Sequence, residues 1–215
     1  MLSGRWRARA FAPGTRFERT SQGRPSAYAT CRNAARVLRG STNGGFTCRS
    51  GTLVATWKRL SRPLHIPSLP AGAACPISAV ASRIDFRAHN VGTGIGPGPV
   101  FPAPFSPDAP EPLNDFSAPA DWHGGKHAFF MLSAYHGRAL IRGGQLDGPG
   151  TVTFASNEIR GAPALSDPKP ELRLDVGTPQ VVHTFFFLKP PGCYAYQIDG
   201  TTFSYVVVFH VGLSA

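Results

Sequence analysis

Apolar and polar side chains follow strand-like patterns along the C-terminal half of the chain. Lys126–Tyr135 has no charge after its first residue, as expected of a strand buried on both faces. Glu171–Asp175 alternates charged and apolar residues, and Val181–Leu188 is β-branched and aromatic, which also predicts strands. Further strands are predicted at Arg138–Arg142, Thr151–Ala155, Cys193–Ile198 and Thr202–Val211. The pattern therefore predicts about seven strands and no helix.

The last two predicted strands are joined by Asp199-Gly200. This dipeptide between two alternating runs predicts a tight hairpin, because a type I′ turn needs positive φ at both central positions. Upstream, Pro63–Pro119 is interrupted by prolines and predicts extended segments and loops, with one short strand at Ile84–Arg87. Strands at this spacing predict an all-β fold, an antiparallel two-sheet sandwich of immunoglobulin-like type.

Charge divides the chain into two parts. Residues 1–62 hold 13 of the 22 Lys and Arg and a single acidic residue, Glu18, for a net charge of +12, whereas residues 63–215 hold nine basic and 11 acidic residues. No apolar period persists in the first part. We therefore predict a disordered basic extension at 1–62 and a β-sandwich domain at 63–215. The extension is open to three interpretations: a nucleic-acid-binding arm, an organellar transit peptide, or a stretch that is not part of the mature protein.

Three segments carry recognisable motifs: Leu64-His-Ile-Pro followed by Cys75-Pro76, Ala139–Gly150 with the sequence ALIRGGQLDGPG, and Pro191–Phe203. They resemble motifs of an uncharacterised family of bacterial extracytoplasmic proteins, over roughly Pro63 to Val211. The resemblance implies a compact β domain that follows a signal peptide, a lipidated Cys and a short linker, with no known activity. Residues 1–62 contain neither an apolar leader core nor a lipobox before a Cys. The resemblance thus implies a secreted or cell-envelope location, with membrane contact only through a lipid anchor absent from this sequence.

Four cysteines occur, at Cys31, Cys48, Cys75 and Cys193. The first two lie in the basic extension and have no CxxC spacing, so they are poor candidates for metal ligands. The other two are alone in the domain. An isolated pair in an exported, β-rich domain predicts a disulfide between Cys75 and Cys193. The alternative is a pair of free buried thiols in a reducing compartment.

No metal or cofactor is predicted. Only His123-Gly-Gly-Lys-His127 brings two histidines close in sequence, and no carboxylate or Cys frames it, whereas a zinc site needs three or four ligands. We therefore expect the histidines to be solvated loop residues: His65, His89, His123, His127, His136, His183 and His210. Gly92–Pro99 is followed by no helix that could hold a phosphate. Asp147 and Asp199 each precede Gly and are interpreted as turn residues.

These patterns favour a secreted or membrane-anchored protein with a binding or structural role at the cell envelope, without catalysis. The candidate binding partners are an envelope protein and a polysaccharide, and binding of nucleic acid is not expected. Two alternatives stay open. One is an envelope enzyme with a loop-built site around Trp122–His127, using Asp121, His123, His127 and Arg142. The other is a nucleic-acid binder that uses the basic arm.

Overall fold

The computed structural model describes residues 6–8, 17–19, 46–49, 52–70, 72–103, 111–113, 122–156, 163–175, 178 and 180–213. The chain divides into two compact units, Met1–Leu60 and Ser61–Ala215. This division lies two residues before the predicted boundary between residues 62 and 63. The second unit holds every feature discussed from here on, apart from the short strands of the first.

The described part of the first unit consists of two antiparallel strand pairs and one helical turn. The pairs are β1 with β2 and β3 with β4, and their bounds are β1 Trp6–Ala8, β2 Phe17–Arg19, β3 Phe46–Arg49, β4 Thr52–Ala55 and α1 Trp57–Leu60. The disorder expected for residues 1–62 stays a prediction, because most of that stretch lies outside the described residues.

Two β-sheets form the second unit. Their strands are β5 Val100–Ala103, β6 Glu111–Leu113, β7 His123–Met131, β8 Ala139–Gln145, β9 Thr153–Ala155, β10 Glu171–Leu174, β11 Val181–Leu188, β12 Gly192–Gly200 and β13 Ser204–Leu213. One sheet has the order β10-β8-β12-β13-β6 and the other β5-β7-β11-β9. All pairs are antiparallel except β13 with β6. The all-β, two-sheet sandwich is confirmed, and its immunoglobulin-like character stays a prediction.

Aromatic side chains fill the core between the sheets. Phe129 and Phe186 point inward from the four-stranded sheet, and Tyr196 and Phe209 from the five-stranded sheet, all of them buried. The rings of Tyr196 and Phe209 lie 4.5 Å apart between centroids. Because successive side chains of a strand point to opposite faces, the alternation in the sequence places these residues on one side of each sheet. Burial of each such ring stabilises the fold by about 1.5–3 kcal/mol.

Two adjacent glycines in β7 make room for the core ring of Phe186 and for the ring of Phe187 on the opposite face of the sheet. Gly124 pairs with Phe187 and Gly125 with Phe186 across the neighbouring strand β11. A Cβ atom on Gly125 would lie 2.5 Å from the ring of Phe186, which is shorter than any ordinary contact. The glycines between His123 and His127 therefore serve ring packing on the two faces of the sheet.

Single β-bridges extend the pairing at both sides of the sandwich. On one side, Phe154 of β9 bridges to Lys169, just before β10, so the two sheets become continuous. On the other side, Val80 bridges to Ile95, and the Ile95 N–H donates to the Pro102 carbonyl of β5 at 3.0 Å. Part of the backbone at the β9 and β5 edges is thus hydrogen-bonded, which limits edge-to-edge association there.

The predicted position of the last hairpin turn is wrong. Strands β12 and β13 pair as expected, but Asp199 lies opposite Ser204 and the Gly200 N–H donates to the Phe203 carbonyl at 2.9 Å. The turn is therefore centred on Thr201-Thr202, and Gly200 is a strand residue without the positive φ that we expected. Asp199 lies in the strand because its carboxylate is used by a buried polar cluster, described below.

The short strand predicted at Ile84–Arg87 is also wrong. Residues 84–86 belong to no strand, and a 3₁₀ turn follows at Arg87–His89. The Asp85 carboxylate accepts a hydrogen bond from the Ala88 N–H at 3.2 Å, and such a local side-chain bond competes with strand pairing.

Candidate functional site

Residues 61–70 and 72–81 cross the outer face of the five-stranded sheet, and we call the segment 61–81 the strap. From Pro63 onward it contains no Asp, Glu, Lys or Arg. At its start, Gln197 of β12 binds the strap through both ends of its amide, donating to the Pro63 carbonyl at 3.0 Å and accepting from the His65 N–H at 2.7 Å. At its end, the Ser78 N–H donates to the Val208 carbonyl of β13 at 3.0 Å.

The strap covers a small apolar cluster. Leu146, Ala195 and Val208 are buried on the outer face of the sheet, and Ile66 and Leu69 of the strap pack against them. The Leu69 N–H also donates to the Leu146 carbonyl at 2.6 Å. Because the strap lies on one face and the aromatic core on the other, strand β12 is buried on both sides.

A disulfide joins the strap to the centre of the sheet. Cys75 and Cys193 are bonded, with their Cα atoms 5.4 Å apart, inside the range of about 4.4–6.8 Å that a disulfide requires. The predicted pairing is thus present in the structure. Cys193 is fully buried, whereas Cys75 is only partly buried. Asp147 supports the buried end, because its carboxylate accepts the Cys193 N–H at 3.1 Å.

A buried carboxylate ties the beginning of the strap to the sheet. The side chain of Asp199 is fully buried and accepts from the guanidinium groups of Arg62, at 3.1 Å, and Arg142, at 2.8 Å. It also accepts from the Gln197 amide at 2.9 Å and the Ser204 hydroxyl at 2.6 Å. Arg62 in turn donates to the carbonyls of the hairpin turn, and its own carbonyl accepts from Arg142 at 2.6 Å.

These contacts set the charge state of Asp199. Burial by itself raises the pKa of the carboxyl, but hydrogen bonds from Ser204, Gln197, Arg142 and Arg62 outweigh it and hold the pKa below its ordinary value. The carboxylate is therefore ionised at neutral pH and acts as the common acceptor of the cluster. We call these five side chains the Asp199 cluster.

A second polar pair lies inside the aromatic core. Nδ1 of His127 is 3.0 Å from the hydroxyl of Tyr196, and the imidazole packs 4.2 Å from the ring of Phe186. Burial lowers the pKa of His127 to about 3, because the charged form would lose its hydration. The expectation of a solvated loop histidine is wrong for this residue, since His127 lies in β7 and is neutral at physiological pH. The loop position is also wrong for three others, because His123, His183 and His210 are partly buried strand residues of β7, β11 and β13.

The residues of the enzyme alternative are divided between two environments. His127 projects from β7 of the four-stranded sheet into the aromatic core between the two sheets. Arg142 pairs with Gln197 across β8 and β12 and belongs to the Asp199 cluster on the outer side. Trp122 precedes β7 and lies under the ammonium group of Lys189, 5.5 Å from the ring centroid. Asp121 lies outside the described residues.

Sequence reasoning missed the Asp199 cluster. It placed Arg62 in the extension, interpreted Asp199 as a turn residue and did not single out Gln197. One signal was present: Gln197 and Asp199 are the polar positions of an otherwise apolar strand, two residues apart and hence on one face. Two polar side chains on a buried face of a strand need hydrogen-bond partners. Here the strap supplies them, through the Arg62 side chain and the backbone of Pro63 and His65.

No family of known sequences, no curated protein and no solved structure matches this chain. Within the residues that the structure describes, no helix is long and apolar enough to cross a membrane. The same residues bring together no group of three or more His, Cys, Asp and Glu side chains that could hold a metal ion.

Proposed function

We propose that residues 61–215 form an exported, disulfide-linked β-sandwich with a binding or structural role at the cell envelope. The Cys75–Cys193 disulfide carries this proposal. Disulfides persist in secreted, periplasmic and cell-surface proteins and are rare in the reducing cytosol. The resemblance to extracytoplasmic proteins of the lipoprotein type, from Pro63 to Val211, supports the same location.

The use of the buried polar groups favours binding over catalysis. The two candidate groups of the enzyme alternative that are buried or nearly so, His127 and Arg142, bond to Tyr196 and Asp199 within the fold. A general base works best with a pKa near the operating pH, and His127 is far below it. The engagement of these groups within the sandwich supports a binding role for its surface.

The outward side of the strap favours a protein as partner. Leu64, Ile77 and Val80 are large apolar side chains, each more than two fifths exposed, and all three belong to this one uncharged segment. Single exposed apolar residues are ordinary, but several on one short segment are typical of a contact surface. Aliphatic side chains suit an envelope protein better than a polysaccharide, which binds through aromatic and polar groups.

The proposal is tested on the protein taken from its native cells. The cells are treated with an alkylating agent before lysis, and the cysteines are mapped without reduction. We expect a Cys75–Cys193 link and cleavage of the protein by a protease added outside the inner membrane. Alkylated Cys75 and Cys193 in a protein that resists the protease would place it in a reducing compartment and overturn the proposal.

The charge of residues 1–62 favours a second candidate, binding of nucleic acid. A net charge of +12 on this short stretch would attract phosphate groups in a salt-dependent manner. Fluorescence anisotropy with labelled DNA, measured over a series of salt concentrations, distinguishes the two candidates. Binding that persists at physiological salt would favour the second candidate, and loss of binding there would favour the first.

A further inference from the structure

We infer that Cys75 is a thiol–disulfide exchange site, and that reduction through it releases the strap and uncovers a second apolar face of the sandwich. The exchange needs an external thiol, but uncovering the face needs no binding partner, because the strap and the face beneath it belong to one chain. It rests on three features of the second unit. Cys75 and Cys193 differ in exposure, few contacts hold the middle of the strap, and the surface beneath the strap is apolar.

The two cysteines differ in access. Cys193 is fully buried in the central strand β12, whereas Cys75 lies on the strap and is partly exposed. Exchange starts when an external thiolate attacks one sulfur of a disulfide, and access decides which sulfur is attacked. Attack on Cys193 would require the sheet to open, so the geometry selects Sγ of Cys75.

The reductant is a dithiol or two equivalents of a monothiol. Its first thiolate forms a bond to Sγ of Cys75, the bond between Cys75 and Cys193 breaks, and Cys193 leaves as a thiolate that takes up a proton. A second thiolate of the reductant then attacks the mixed disulfide and displaces Cys75. The reductant thereby loses two electrons and becomes a disulfide, and the protein keeps two thiols.

Between its two ends, little besides the disulfide holds the strap. Arg62, Pro63 and His65 anchor its beginning through the Asp199 cluster. Past that point, one hydrogen bond at Leu69 and the contacts of Ser78 with Val208 connect it to the five-stranded sheet. Its far end is anchored separately, because Ala79 and Ala81 pair with Gly96 and Gly94 on either side of the Val80–Ile95 bridge. Most of its described residues are exposed, so they add little buried area that could keep it in place.

Release of the strap changes the surface. Leu146, Ala195 and Val208, now buried, lose their cover of Ile66 and Leu69. The backbone N–H and carbonyl of Val208, which bond to Ser78, become available at the side of β13. The reduced protein thus presents an apolar patch beside free backbone groups, a surface suited to an extended segment of another polypeptide.

The attack site is tested on the full chain carrying Cys31→Ser and Cys48→Ser, so that Cys75 and Cys193 are the only cysteines left. The oxidised protein is incubated with reduced glutathione, alkylated and mapped by mass spectrometry. We expect glutathione on Cys75 and the alkyl group on Cys193. Glutathione found mainly on Cys193 would overturn the assignment of the attack site.

Release of the strap is tested by hydrogen exchange on the same chain, oxidised and reduced. Reduction should abolish protection of the Leu69 and Ser78 amides and leave the amides of β12 protected. The variant that also carries Cys75→Ser and Cys193→Ser should exchange like the reduced chain without any reagent. Unchanged protection at Leu69 and Ser78 would show that the strap stays bound, and loss of protection throughout β12 would show a purely structural disulfide; either result overturns the inference.

Discussion

Replacement of Asp199 by Ala removes the common acceptor of the Asp199 cluster. The side chain is fully buried and accepts four hydrogen bonds, two of them from arginines. Removing one partner of a buried ion pair costs about 3–5 kcal/mol, because the remaining charge is left without compensation. The side chains of Arg62 and Arg142 are 30% and 19% exposed, so water can reach the guanidinium groups. We therefore expect the lower end of that range, about 3 kcal/mol.

This loss is large against the stability of a folded domain, which is about 5–15 kcal/mol. It corresponds to a fall in Tm of about 6–12 °C for a chain of this size. Urea unfolding followed by circular dichroism measures the free energy of unfolding directly. Asp167→Ala is the matched control, since Asp167 is exposed and pairs with Lys169 alone, and its loss should cost less than about 1 kcal/mol. An Asp199→Ala variant as stable as this control would refute the role of the cluster.

The same cluster predicts a dependence on pH. The pKa of Asp199 is lower in the folded chain than its unfolded value of about 3.9. A depressed pKa stabilises the fold fully above the unfolded value, and the stabilisation is lost as pH falls through the folded pKa. The difference in unfolding free energy between the native chain and Asp199→Asn should therefore stay constant at neutral pH and shrink below about pH 4. A difference that grows as the solution is acidified would contradict this sign.

Three further substitutions have defined outcomes in the same unfolding assay. Tyr196→Phe should cost about 1–3 kcal/mol, because Nδ1 of buried His127 loses its bond to the hydroxyl; an unchanged midpoint would contradict it. Gly200→Val should cost about 1–3 kcal/mol, because its Cβ would lie 2.2 Å from the ring of Phe203, and Phe203→Ala should restore much of the loss if that contact is the cause. Replacing both cysteines of the disulfide by Ser should cost about 5 kcal/mol from loop entropy, and a loss below about 1 kcal/mol would show that the unfolded chain is compact without it.

The sequence predicted those parts of the fold that depend on local pattern. Strand β7 was expected from an uncharged apolar run, and strands β11, β12 and β13 from alternation or β-branched and aromatic runs. The disulfide was expected because the domain contains only two cysteines. The strands need only neighbouring residues, and the disulfide needs only a count of cysteines and the expectation of an exported domain.

The features that were missed depend on distant parts of the chain. Asp199-Gly200 has the local signature of a turn, but Arg62 and Arg142 draw the carboxylate into the strand, and the turn moves to Thr201-Thr202. His127 belongs to a motif typical of a loop, yet its neighbouring glycines are needed by the rings of β11. In both cases tertiary contacts override the local preference, and no window of sequence contains both partners.

The reach of the disulfide has a consequence for synthesis of the chain. Cys75 leaves the ribosome 118 residues before Cys193. At about 5–20 residues per second, its thiol exists for about 6–24 s before the native partner has been made. Cys31 and Cys48 are translated earlier still and can react with it during that interval. Correct pairing therefore has to wait until Cys193 has been made, and its yield depends on isomerisation of any bond that Cys75 has formed before then.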